Sequence, residues 1–265
     1  MRIVVCLKQI IDPELPVSQF RIDTEAKRQQ SDSHPLVISP YDENALELAL
    51  KLKEQTGGHV TVLSVGQSSA VSALRKGVAM GADEAALISD PALEGSDAFG
   101  IATALAEGVR KLGPTDLVLC GCESGDWADR IVGPIVAETL GIPCVTFVAR
   151  IERQNGRLLA QRVVEEGYEV WELTPPGLLT VLSDETNTPR YPKVKDIMAA
   201  SRRVIPTWSR ADLGLGDSAV GRAAGRIEIQ ELTLPTRESR CEILDGEPEE
   251  QVATLVTKLR ERKVI

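Results

Sequence analysis

At 265 residues with 43% hydrophobic content, the chain is long enough for one large domain, or a domain with an arm, around a sizeable core. Thirty Lys and Arg against 39 Asp and Glu give a net charge of −9 and a pI near 5.0, which repels nucleic-acid phosphate, and 3% aromatic residues leave little for base stacking. Five cysteines in a chain of this length, two distant histidines and no run near the ~20 apolar residues of a membrane span argue against a disulfide framework, a His/Cys metal cluster and membrane insertion, and point to reduced thiols in the cytoplasm.

Residues 3–7 (Ile-Val-Val-Cys-Leu) form a short, continuous, β-branched run expected as a buried parallel strand. The polar stretch from Asp12 to His34, with Pro13 and Pro16, is expected as a surface loop or small hairpin. Ser39 opens a helix as its cap, Pro40 suits the first helical position, and Asp42 is placed to return the capping-box contact. Leu46, Ala49, Leu50 and Leu52 give that helix an apolar stripe, and Gly57-Gly58 stops it. Val60–Val65 is the next strand, Ala70–Met80 a helix with Val71, Leu74 and Val78 on one side, and Glu84–Ile88 a third strand. A helix over Asp97–Leu112, a strand over Asp116–Cys120, a helix from about Arg130 to Leu140 and a strand over Cys144–Val148 continue the series.

From Ala149 to Glu172 polar and apolar residues alternate around Gly156 and Gly167, the pattern of an antiparallel hairpin, and Gly177–Ser183 reads as another buried strand. The whole predicts an α/β fold: a doubly wound, mostly parallel sheet of the Rossmann-like, adenine-nucleotide-binding type, with an antiparallel hairpin and a C-terminal arm. Residues 1–200 make the nucleotide-binding domain. Residues 201–265, where the period weakens, make an arm that packs on a partner, with one strand over Ile227–Leu232 and one helix over Glu249–Arg262.

Ligands of open α/β sheets sit beyond the carboxyl ends of the strands. The loops there follow Cys6, Leu7 and Lys8, include Ser39-Pro40, follow Val65 and Gly66, and run from Gly121 to Gly133. The last joins a strand to a helix N-terminus, where backbone N–H groups and the helix dipole favour phosphate, and Arg130 can add a charge-assisted bond. It contains neither a Walker A loop nor a GxGxxG fingerprint. The candidate cofactor contacts are Cys6, Leu7, Lys8, Ser39, Val65, Gly66, Gly121, Ser124, Asp126, Asp129, Arg130, Ile131, Val132 and Gly133. With no Ser/His/Asp, Cys/His or metal constellation visible, no catalytic side chain and no metal ligand is nominated.

Asn187-Thr188-Pro189-Arg190-Tyr191-Pro192, followed by Val194, Ile197, Met198 and Ala200, resembles the Asn-x-Pro-Arg-Tyr…Ile-Met-x-Ala signature of the beta subunits of electron-transfer flavoproteins. Lys8, Asp12, Ser39-Pro40, Glu43, Ala45, Val65-Gly66, the run from Leu74 to Asp83, and Gly121, Asp126, Val132, Gly133 and Pro134 also match in order and spacing, covering most of residues 1–200. The chain departs from that pattern at Glu123, where the family usually has Gln, and at Arg130-Ile131, where it usually has a polar-Gln pair.

The resemblance implies a heterodimer with a larger alpha subunit, which holds most of the electron-carrying FAD while the beta subunit walls one side. It also implies a nucleotide buried in this chain: AMP in simple carriers, a second FAD in electron-bifurcating forms that oxidise NADH. Val132 leans towards FAD, Arg130-Ile131 fits neither pattern, and the choice stays open. Arg162 and Gly167 match the family's Arg-Glu-x-Asp-Gly-Gly motif, but Val163 stands where a glutamate linked with flavin-domain mobility is expected. Arg190, Tyr191, Val194, Lys195, Ile197 and Met198 are the implied partner contacts, with Val194 where the family places the leucine that plugs a pocket on an acyl-CoA-type flavin dehydrogenase. The alternative from another class is an adenine-nucleotide sensor or ATP-pyrophosphatase-like enzyme on a similar sheet, for which the expected SGGxDS-type phosphate loop after the first strand is replaced by Lys8–Asp12.

Overall fold

The computed structural model describes residues 1–31, 34–234 and 241–265. β1 (Arg2–Cys6) runs into a short β2 (Gln9–Ile11), then the small hairpin β3 (Ile22–Asp23) and β4 (Arg28–Gln29). β5 (Leu36–Ile38) returns antiparallel to β2 and leads into α1 (Pro40–Thr56). β6 (His59–Val65), α2 (Val71–Met80), β7 (Glu84–Ile88), α3 (Ala98–Leu112), β8 (Leu117–Gly121) and α4 (Val132–Leu140) alternate as expected. β9 (Cys144–Gln154), β10 (Arg157–Val164) and β11 (Gly167–Leu173) form an antiparallel meander, followed by β12 (Gly177–Val181), α5 (Val194–Ser201), β13 (Thr207–Trp208) and α6 (Pro248–Glu261).

Among the described residues the main sheet has nine strands in the order β11-β10-β9-β12-β8-β1-β6-β7-β13, parallel from β9 to β13. β1 is central. The chain builds outward from it through β6 and β7, then restarts at β8 on the opposite side, so the strand order reverses between β1 and β8.

The period of two in β1 divides its side chains between two cores. Ile3, Val5 and Leu7 pack with Leu46 and Leu50 of α1 and Leu74 of α2. Val4 and Cys6 face Leu105 of α3 and Val136 of α4. Both faces are therefore covered, which is why these strands read as unbroken apolar runs and not as alternation. Each fully buried leucine or isoleucine contributes about 1.5–3 kcal/mol of transfer free energy.

Several local expectations are corrected. Ser39 does not cap α1 with its hydroxyl and Asp42 does not return a capping-box contact; both side chains are turned to the strand ends described below. Cys144–Val148 and the first hairpin strand are one strand, β9, which pairs parallel with β12 and then antiparallel with β10. A register shift beside Phe147, whose φ is 58°, bends it between the two pairings. Ile227–Leu232 is not a strand: its residues find no ladder partner among the described residues and lie exposed or half-buried. The helix expected near Glu249–Arg262 forms as α6.

The segment after Ala200 begins on the sheet. β13 pairs with the outer edge of β7, and Leu213 and Val220 are buried in the core on the α3 side. α6, in contrast, buries none of its side chains among the described residues, and Val252 and Leu255 are exposed. No described helix is long and apolar enough to cross a membrane.

Candidate functional site

The crevice at the carboxyl ends of β1 and β8 is the topological switch point, where open α/β sheets take ligands. Cys6 and Leu7 are buried, one on each side of the sheet, so only their backbone reaches the crevice. Lys8 follows them and its Nζ lies 2.7 Å from Asp126 Oδ1, an ion pair joining the β1 end to the Gly121–Gly133 loop. Ser39 is fully buried: its N–H donates to Lys8 O at 2.9 Å, and its hydroxyl accepts the N–H of Gly125 at 3.2 Å. Val65 and Gly66 end β6 on the far side of β1, with the Gly66 N–H donating to Ile88 O at 3.0 Å.

Asp42 was missed by the sequence reading as a site residue. Its carboxylate accepts the N–H of Lys8 at 2.7 Å and that of Gly121 at 2.8 Å, so it spans the reversal point. Burial pushes its pKa up to about 7, against the opposing pull of those two N–H groups and the charge on Lys8. The signal was present as an Asp in the first helical turn, but a first-turn acid is also what any well-capped helix shows.

The loop from Gly121 to Gly133 is held at several points. The Cys122 N–H donates to Val181 O at 2.8 Å, and the Ala128 N–H donates to Ser124 O at 2.9 Å, closing a turn that contains Asp126. A Cβ on Gly121 would lie 2.6 Å from Asp42 Oδ1, and one on Gly133 would lie 2.7 Å from Thr180 Cγ2, so both close approaches require glycine. At the loop's end Ile131 stands at the N-cap of α4 and no side chain caps the helix among the described residues. Pro134 removes one of the first-turn amides, leaving those of Val132 and Gly133 as the leading free-ended donors of a helix dipole. Asp129 is on the exposed side of this loop, within electrostatic reach of Lys8 and Asp126.

Arg130 is arranged differently from the expectation of a free phosphate ligand. It adopts a left-handed φ of 61°, is ion-paired with Glu123 and lies 5.9 Å from the centre of the Phe147 ring. Burial and a hydrogen bond with the same Glu123 hold the Tyr41 hydroxyl above its ordinary pKa. Glu123 and Arg130, two departures from the family pattern, are thus the two halves of one contact.

The partner segment divides in two. Asn187 is buried and fastens it: its amide donates to Leu182 O at 2.8 Å and to Ala149 O at 3.2 Å, while its oxygen accepts the N–H of Asp184 at 2.9 Å. Arg190, expected at the partner surface, is turned inward onto α1, with Nε 2.8 Å from Glu47 Oε2 and Nη1 2.5 Å from Glu54 Oε1. Its guanidinium therefore serves the chain's own fold. Tyr191 is 95% exposed and Val194 74% exposed, and Lys195, Ile197 and Met198 are also exposed on α5. Substituting Val194 with Asp is expected to slow electron transfer to or from a dehydrogenase partner about tenfold or more, the range for a small apolar anchor, without releasing nucleotide. An unchanged transfer rate in stopped-flow would rule out the anchor role.

Comparison with known proteins agrees with this geometry. The family model described as "Electron transfer flavoprotein domain" matches residues 30–213. The chain is 38% identical over 266 residues to the electron transfer flavoprotein subunit beta of Thermoanaerobacterium thermosaccharolyticum, covering 100% of both chains. It is 37% identical over 267 residues to the caffeyl-CoA reductase-Etf complex subunit CarD of Acetobacterium woodii, again with 100% of both covered. It is 34% identical over 271 residues to the acryloyl-CoA reductase electron transfer subunit gamma of Anaerotignum propionicum, with 100% of both covered. These matches side with the electron carriers against the sensor or pyrophosphatase alternative. A full-length match to a beta subunit and the family model over residues 30–213 together mean that the chain belongs to the electron transfer flavoprotein family, on the beta-subunit side.

Proposed function

We propose that this chain is the nucleotide-holding half of a heterodimeric electron carrier, working between flavin dehydrogenases and a downstream acceptor. The observation that carries the reading is the switch point, where Lys8 and Ser39 are tied to Asp126 and Gly125 of the loop that leads into the N-terminus of α4. Those donors and the close glycine contacts fit the phosphate of an adenine nucleotide. The Val132 and Gly133 amides would hold it, with Ser124 on the loop and Lys8 balancing charge. The flavin of the assembled protein supplies the redox chemistry, and this chain's residues supply position, water exclusion and electrostatics.

The partner reading rests on unpaired apolar surface. A lone 14-residue helix is marginal in water, yet α6 presents Val252 and Leu255 to solvent. Among the described residues strand β11 leaves the sheet edge open, with Tyr168, Val170 and Trp171 exposed. Residues 201–265 would act as the arm that packs on the alpha subunit, anchored to this chain through β13. The exposed face of α5 would take an acyl-CoA-type dehydrogenase, and five free cysteines suit the reducing cytoplasm.

The test is co-expression with the adjacent alpha-type subunit, denaturation of the purified complex and chromatography of the released nucleotides. One FAD and one AMP per heterodimer is the expected result for a simple carrier. Two FAD and no AMP, the outcome favoured by Val132, makes this an electron-bifurcating form in which NADH is oxidised at the FAD bound here. A complex that releases no nucleotide rejects both.

A further inference from the structure

Asp42 joins the two strands between which the strand order reverses. Through Oδ2 and Oδ1 it accepts the backbone N–H groups of Lys8, just past β1, and of Gly121, the last residue of β8. This is not helix capping, because the α1 amides of Asp42 and Glu43 both donate to the Ser39 carbonyl instead. The carboxyl sets the separation of the Lys8 turn from the Gly121–Gly133 loop, and that separation is the width of the crevice.

The charges around it are mostly acidic. From the β1 end comes Lys8, already paired with Asp126 at 2.7 Å, and from the loop come Asp126 and Asp129. From the β8 end come the thiols Cys120 and Cys122. On α1, Tyr41 is directed at Glu123, and Glu43 is paired with Lys76 of α2. Of the cations Lys8 acts most on Asp42 and is shared with two other carboxylates, while Arg130 of the same loop is paired with Glu123. Burial has already brought the Asp42 carboxyl to the edge of protonation near neutral pH. A further anion in the loop raises the cost of its charge again.

We propose that Asp42 is the positioning residue of this nucleotide site, and that it takes up one proton when an anionic nucleotide binds. This rests on the nucleotide reading above. The sign follows from linkage: below neutral pH the carboxyl is already protonated and binding needs no proton from solvent. Above it, each unit of pH weakens binding by up to about tenfold, the limit for one proton.

The test uses the heterodimer with its partner subunit, freed of exchangeable nucleotide and titrated by calorimetry with AMP and separately with FAD. At about pH 8 a free monophosphate, with a second pKa of about 6, contributes no proton of its own. Two buffers of unlike ionisation heat count the protons taken up. Wild type is expected to gain a large fraction of one proton per nucleotide and to bind several-fold more weakly per unit of rising pH. Asp42→Asn cannot titrate and sets an NH2 group against one of the two backbone N–H groups that the carboxyl holds, so it is expected to bind more weakly with a flat profile. No proton uptake by wild type, or an unchanged slope in Asp42→Asn, overturns the proposal while leaving the nucleotide site standing. If the variant does not fold, the wild-type proton count decides. Failure of the wild-type complex to bind either nucleotide overturns the nucleotide reading, and this inference with it.

Discussion

Arg190→Ala is expected to destabilise the chain by roughly 3 kcal/mol, the lower end of the range for breaking a buried ion pair from one side. The Glu47 carboxylate is only 3% exposed, and three of its contacts come from Arg190: the backbone N–H at 3.1 Å, Nε at 2.8 Å and Nη2 at 2.9 Å. Removing the side chain leaves a buried carboxylate with Lys51 at 3.9 Å as its nearest cation. Partial exposure of Arg190 lets water replace some of what is lost, which sets the lower figure. Arg190→Lys should recover only part, since an ammonium cannot reproduce the planar fork that spans Glu47 and Glu54. The double change Arg190→Met with Glu47→Leu should recover most of the stability, because both charges go together. Urea melts of the single and double variants measure this; a wild-type midpoint for Arg190→Ala would remove the network from the account of the fold. The same experiment separates folding from docking, since the exposed Tyr191 and Val194 stay untouched.

Gly121→Val is expected to empty the nucleotide site and to cost about 1–3 kcal/mol through overpacking. The added Cβ would meet Asp42 Oδ1 at 2.6 Å and Tyr41 Cβ at 2.7 Å, and neither neighbour can swing away. Asp42 is held by two backbone N–H groups, and the Tyr41 Cβ moves only with α1. The strand ends must then separate, and the loop leaves its place at α4. Nucleotide per purified complex is the measurement, with Gly216→Ala as the control: a Cβ there meets nothing within 4 Å, so content and melting should both stay as in wild type. Full nucleotide occupancy in Gly121→Val would show that the crevice width is not set here.

The elements were legible where burial writes a simple pattern. β1, β6, β7 and β8 are buried on both faces, so each appears as a run of apolar residues bounded by polar turns. The helix expected over Asp97–Leu112 forms as α3 from Ala98, with the Asp97 carboxylate accepting from Phe99 and Gly100 within the first turn. Local contacts of this kind leave a local signal. The continuity of β9 had none: its bend depends on which strands flank it, parallel β12 first and antiparallel β10 afterwards. β13 also escaped notice, since two residues carry no period and are held by the free edge of β7.

The counter-ions of Arg190 and Arg130 were hidden for a different reason. An arginine in a signature, or in a loop before a helix, shows its charge in the sequence but not its counter-ion. Glu47 and Arg190 lie 143 positions apart, and Glu123 and Arg130 only seven, yet neither pairing follows from spacing.

The sequence alone determined the strand–helix alternation, the loop that meets α4 and membership of the flavoprotein family, because each rests on neighbouring residues or on an ordered signature. Only the tertiary structure decided that Asp42 bridges two strands instead of capping its own helix, that Arg190 faces inward while Val194 faces out, and that Glu123 holds Arg130. Those contacts are made by residues distant in sequence or by side-chain direction, and a buried carboxyl goes to whichever unpaired N–H groups the folded sheet brings within reach.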